Sequence, residues 1–211
     1  MDTSLLFILL ALTYAMVVAK RMPALISGFR YQSFLLFLIT LIASVKEKSA
    51  GLLVVSLLLF SLKVIGIPYF LSRMVRRIKA NENLGLFMNT QLSLVFALGM
   101  TYLSWSFAKF AFSTAGEWHV MLLTVSFSVV LMGFFLMIFR MKALAQIIGL
   151  LVMENGLFLL ASSIAGGMPF FVEIAIFFDV FVSVIILGVF VYRINKLFTH
   201  IDVSKLSELK G

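Results

Sequence analysis

Runs of about 15 to 25 apolar residues recur along this chain as far as Val191, and they leave it little choice of fold. A helix rises 1.5 Å per residue, so roughly 20 such residues cross the ~30 Å hydrocarbon layer of a bilayer. A transmembrane β-barrel would instead alternate apolar and polar residues over about ten positions, and that pattern is missing. Hydrophobic residues make up 63% of the sequence and charged ones 12%, with a mean hydropathy of +1.15. No single soluble core of 211 residues could hide so much apolar surface. The chain reads as an all-α integral membrane protein.

Seven transmembrane helices are expected. The first runs from about Leu5 to Val18, followed by Lys20 and Arg21. A secretory signal carries its positive charge before the apolar run, so this span reads as a permanent helix. The second, Tyr31 to Val45, is short, with Arg30 and Lys46 placed to snorkel at its ends. The third covers Ala50 to Phe70 and contains Lys63. A basic connection carrying Arg73, Arg76, Arg77 and Lys79 leads to the fourth, Leu86 to Ala108, which finishes on Tyr102, Trp105 and Lys109 as an interfacial end does. The fifth is Val120 to Phe139. The sixth and seventh occupy Ala145 to Val191, joined by the turn from Ala165 to Pro169, and a polar tail closes the chain.

The charges sort by side. Of the 17 lysines and arginines, thirteen fall in loops on one face and three on the other, with Lys63 left inside a span. The positive-inside rule then sets the N-terminus outside and the C-terminus in the cytoplasm. The same placement explains the net charge of +8 without any nucleic-acid partner.

Polar residues inside the spans are few enough to weigh singly. Glu154 and Asp179 each lie about ten residues into their helices, so an antiparallel pair holds both near the bilayer midplane, whereas Glu173 lies nearer the turn. An ionised carboxylate at that depth costs several kcal/mol unless it is paired, hydrated or protonated, so such acids are functional candidates by default. Gly149 and Gly156 let a neighbouring helix come close beside Glu154 and turn it toward protein rather than lipid. Asp179 has only large apolar neighbours and needs a partner elsewhere. Glu173 precedes it by six residues, about 600° of helix, so the two point in different directions. Lys63 has two readings, a member of a polar relay or a long stem snorkelling to the inner headgroups near Arg73.

Covalent catalysis has no equipment here. The chain has no cysteine, no Gly-rich phosphate loop and no nucleophile beside a base, and its two histidines, His119 and His200, fall in a loop and in the tail. The 12 methionines and 23 phenylalanines read as packing. Buried acids on antiparallel helices with a buried lysine are instead suited to passing protons, because each group's proton affinity responds to its neighbour's charge.

The segment Leu144 to Gly156, the turn at Pro169, the acid-bearing seventh span and the tail Ile201 to Gly211 resemble the three-helix K subunit of complex I and the C subunit of Mrp-type antiporters. With seven spans and Met153 to Leu159 as its most specific stretch, the chain is similar to component E of hydrogenase-4 and related formate hydrogenlyase complexes. The likeness covers roughly the last ninety residues and divides the chain into 1–115, a four-helix membrane region of unmatched role, and 116–211, a three-helix region with a short cytoplasmic tail. In the K family an acid stands where this chain has Leu151. Here it falls three residues later at Glu154, about 300° round and some 4.5 Å along the helix. The resemblance implies a proton-pathway role for Glu154 and Asp179, extended to Glu173; Lys63 gains nothing from it.

It also implies a non-catalytic membrane-arm subunit of a complex I-like, proton-translocating [NiFe]-hydrogenase in a prokaryotic cytoplasmic membrane. The expected partners are antiporter-like subunits, a quinone-site-like membrane subunit, and peripheral hydrogenase and iron–sulfur subunits holding the nickel–iron centre and clusters, with none in this chain. Two other readings share the same sequence: a subunit of a cation/proton antiporter, and a structural spacer whose acids serve as interhelical hydrogen-bond partners.

Overall fold

A computed structural model describes residues 3–48, 50–77, 89–112 and 116–164. These are helical with no strand among them: α1 (Thr3–Val18), α2 (Met22–Glu47), α3 (Ala50–Leu59), a π-helical segment (Phe60–Gly66), α4 (Ile67–Arg77), α5 (Thr90–Ala111), α6 (Glu117–Phe139) and α7 (Ala143–Ile164). Among the described residues five stretches are long and apolar enough to cross a membrane, one of them running unbroken from Ala50 to Arg76, and α1 is a shorter apolar helix. The chain is therefore a helical membrane protein. The expected seventh span, with Glu173 and Asp179, lies outside the described residues.

The second span begins well before the expected Tyr31. α2 starts at Met22 with Pro23 in its first turn, where a missing N–H costs nothing and the fixed φ suits a helix. Its 26 residues reach about 39 Å, so Arg30 lies within the helix rather than at its end. The intervening Ser27, Gly28 and Arg30 lower the local hydropathy and disguise the start of the helix as a loop. Gly28 serves packing: a Cβ there would fall 2.5 Å from Met16 Cγ, so α1 and α2 cross closely at that point.

The core is built from stripes at helical spacing. On α1 these are Leu6, Leu9, Thr13 and Met16; on α2, Leu25, Phe29, Gln32, Leu36 and Ile39; on α6, Leu122, Val125, Val129, Met132 and Leu136; on α7, Ala145, Ile148, Leu151, Val152 and Leu159. α6 and α7 form the tightest pair. A side chain at Gly133 would strike the Met153 backbone, one at Gly149 would meet Met137 N at 2.6 Å, and one at Gly156 would meet Val130 N at 2.7 Å. Small residues permit this approach where lipid offers no hydrophobic drive for association. α2 lies between α1, the α3–α4 span and α7, so it touches most of the bundle.

The third span is not a plain helix. Between Phe60 and Gly66 the backbone widens, and Ile67 donates its N–H to the Leu62 carbonyl five residues back. The widened segment sits just before Pro68, which has no N–H for the Val64 carbonyl and whose ring crowds it. Such single-turn π segments recur at functional positions in helices, and this one carries Lys63.

Candidate functional site

Lys63 and Glu154 meet at the centre of the bundle. Lys63 Nζ lies 3.5 Å from Glu154 Oε2, with the two side chains 2% and 4% exposed. Each occupies the middle of its own span, Ala50–Arg76 for the lysine and Ala143–Ile164 for the acid. The long lysine stem does not run to the headgroups near Arg73; Arg73 is exposed and hydrogen-bonds Tyr69 instead. Glu154 faces protein, as its flanking glycines predicted.

The ammonium also donates to Asn155 Oδ1 at 2.9 Å. Asn155 Nδ2 donates in turn to Gln32 Oε1 at 3.1 Å and to Ser33 Oγ at 3.3 Å, and Gln32 Nε2 donates to Thr13 Oγ1 at 2.8 Å. Thr13 completes the line by donating to the Leu9 carbonyl at 2.8 Å. Every bond points away from the lysine. A cation at the head of such a line polarises each amide in the same sense, and the bonds reinforce one another in a medium of low dielectric. Four segments contribute: α1, α2, the π segment and α7.

A second buried cation does structural work. Arg140, 1% exposed in the α6–α7 turn, donates from Nη1 to the Ala19 carbonyl at 2.7 Å and from Nη2 to the carbonyls of Met16 and Val17 at 3.0 and 2.8 Å. Met16 and Val17 lie in the last turn of α1, at the negative end of its dipole, and Ala19 just beyond it; the Met16 carbonyl also accepts the Ala19 N–H at 3.3 Å. Burial lowers the guanidinium from its ordinary value to about 10, which leaves it charged at neutral pH. Gln146 donates to the Arg140 carbonyl at 2.9 Å and steadies the turn.

Of the sequence-predicted residues, Lys63 and Glu154 are thus brought together, while Asp179 and Glu173 fall outside the described residues. Sequence reasoning passed over Gln32, Thr13, Ser33 and Arg140 and treated Asn155 only as a neighbour of Glu154. A signal existed for two of them, because Thr13 and Gln32 occupy core positions in otherwise apolar stripes. Arg140 reads as a loop charge, because nothing around Arg140 to Lys142 distinguishes a buried arginine from an exposed one. Among the described residues no three His, Cys, Asp or Glu side chains cluster in a way that could hold a metal ion.

The chain is 27% identical over 203 residues to Rv0085 of Mycobacterium tuberculosis, described as an uncharacterized protein, covering 95% of this chain and 92% of that one. No protein-family profile and no solved structure matches it.

Proposed function

We propose that this chain is a membrane-arm subunit of a complex I-like, proton-translocating [NiFe]-hydrogenase of the formate hydrogenlyase type, and that Lys63 and Glu154 form one station of its midplane proton pathway. The observation that carries the reading is the buried ion pair itself: a lysine and a glutamate each midway along its span, 3.5 Å apart. A proton leaving Nζ for Oε2 converts the ion pair into a neutral amine and a neutral acid. Charge separation in a low-dielectric interior is what makes the two forms sensitive to a third charge arriving nearby. Asp179 and Glu173 on the seventh span would supply neighbouring stations, and antiporter-like subunits would continue the path. The redox centres belong to peripheral partners on the cytoplasmic side, with the N-terminus of this chain outside.

The similarity to Rv0085 extends along nearly the whole of both chains, which supports treating the N-terminal and C-terminal regions as one unit. Resemblance of the C-terminal part to the K subunit supports the assembly.

The test is purification from native membranes in mild detergent, with peptide identification and nickel and iron analysis, followed by proton uptake into vesicles holding the assembled complex. Recovery with a nickel–iron hydrogenase large subunit, and loss of proton uptake in Glu154→Gln with assembly intact, is the expected result. Recovery with membrane subunits alone points to a cation/proton antiporter. A Glu154→Gln complex that assembles and pumps normally removes the relay role.

A further inference from the structure

Between α1, α5 and α6 a groove of about 1000 Å³ opens at the end of the bundle where α1 begins, α5 finishes and α6 starts. Its walls are mainly apolar, and along α5 they run from the exposed Leu98 through Tyr102 and Trp105 toward Lys109. At the mouth stand two opposite charges, Lys109 and Glu117. Lys109 Nζ lies 4.8 Å from the centre of the Trp105 ring, and Tyr102 packs against Trp105 at 5.9 Å. Aromatic rings and a lysine at one level are the composition of a membrane–water boundary.

Near its Leu98 end the surrounding helices are joined by direct contacts. Tyr14 closes the gap between α1 and α5 by its contact with Thr101 Oγ1 at 2.6 Å and a hydrogen bond to the Ala97 carbonyl at 3.3 Å. Phe96 stacks on Phe135 at 6.2 Å and closes the gap between α5 and α6. From Leu98 to Lys109 the α5 wall rises about 16 Å, close to half of a ~30 Å hydrocarbon layer. The groove is therefore one leaflet deep. The groove itself spans this half, while the exposed apolar face of α5 continues past it through Phe96 and Val95 to Leu92.

We propose that the groove binds a single zwitterionic phospholipid whose headgroup carries both a phosphate and a free ammonium. Its acyl chains lie along Leu10, Leu98 and Tyr102 down to the Tyr14–Thr101 contact, the phosphate meets Lys109, and the ammonium meets Glu117. A headgroup with phosphate alone would satisfy the lysine and leave the glutamate facing like charge.

Trp105 is the natural reporter, and Trp118→Phe leaves it as the sole tryptophan. The full-length Trp118→Phe chain is reconstituted into phosphatidylcholine vesicles containing phosphatidylethanolamine or phosphatidylglycerol brominated near the headgroup end of the acyl chains. At equal mole fraction the ethanolamine lipid is expected to quench Trp105 about two- to threefold more strongly than the glycerol lipid, the size of an exposed ion pair, and Glu117→Gln is expected to erase the difference. Equal quenching by both lipids would mean unselective boundary lipid and would overturn the proposal. Absence of quenching by either would mean that protein covers the groove, and would overturn it too.

Discussion

Lys63 hydrogen-bonds Asn155 at 2.9 Å while standing 3.5 Å from the carboxylate of Glu154, the residue immediately before it. The shorter contact goes to the neutral amide and the longer one to the charge. A charge-assisted N–H···O bond usually closes to about 2.7–2.9 Å, so the ion pair has room to tighten if the ammonium swings from the amide to the acid. The amide line running through Gln32 to Thr13 resists that swing by holding Asn155 Oδ1 toward the lysine.

Removing one partner of this pair is expected to cost far more than removing both. Lys63→Met leaves Glu154 buried without its ion-pair partner, a loss of about 3–5 kcal/mol by analogy with broken buried pairs, whereas Lys63→Met with Glu154→Leu should be close to neutral. Thermal unfolding of the purified protein in mild detergent measures the coupling. A double variant as unstable as the sum of its singles would mean that the two side chains do not interact.

Asn155→Leu takes away the acceptor of the lysine and the donor to Gln32 and Ser33 together. Interhelical hydrogen bonds in membranes contribute about 0.6 to 1.7 kcal/mol each, so a loss of roughly 1–2 kcal/mol is expected. Gln32→Leu should cost less, because it leaves the Lys63–Asn155 bond in place. Unfolding midpoints ranked the other way would place the weight of the network on α1 and α2 rather than on the lysine.

Arg140 is expected to tolerate neither glutamine nor lysine. Its planar fork reaches three carbonyls at the end of α1, a geometry that a single ammonium on a flexible stem cannot reproduce. Burial lowers its proton affinity, so the folded chain would release this proton before the unfolded one once the pH passes about 10, and above that pH stability would rise as far as this group alone decides it. At neutral pH the group is charged in both states, and its hydrogen bonds must offset its desolvation. Arg140→Lys should therefore lower the unfolding midpoint and expose the α1–α2 connection to protease, with limited proteolysis near Lys20 and Arg21 as the readout.

The membrane class and most helix positions were legible because hydropathy reports lipid exposure directly, and Glu154 was legible because an acid stands out in an apolar run. What hydropathy could not resolve was where polarity faces inward. Ser27 and Arg30 read as the approach to a helix, yet they belong to α2, and only the packing on α1 and α7 tells the buried Gln32 from the exposed Arg30. Lys63 was ambiguous for the same reason. Its distance from either end suited a relay or a snorkel equally, and the π segment before Pro68, together with α7 packed behind α2, decides in favour of Glu154. Arg140 resembled every other loop arginine, since a partner made of backbone carbonyls leaves no mark in the sequence.

Gly149 and Gly99 should respond in opposite ways to the same substitution. At Gly149 an added methyl would sit 2.6 Å from Met137 N, 2.9 Å from the Gly133 carbonyl oxygen and 3.0 Å from Leu136 C, all backbone atoms that cannot turn aside. Gly149→Ala must push α7 off α6 and carry Glu154 with it, at a cost of about 1–3 kcal/mol. Gly99 on α5 has nothing within 4 Å, so Gly99→Ala is expected to be neutral or to stabilise by up to about 1 kcal/mol through helix propensity alone. Because the displaced α7 bears one half of the ion pair, Gly149→Ala should also weaken the Lys63–Glu154 coupling measured by the double variant, and Gly99→Ala should leave it unchanged. Equal coupling in both backgrounds would show that the pair does not depend on how closely α6 and α7 approach.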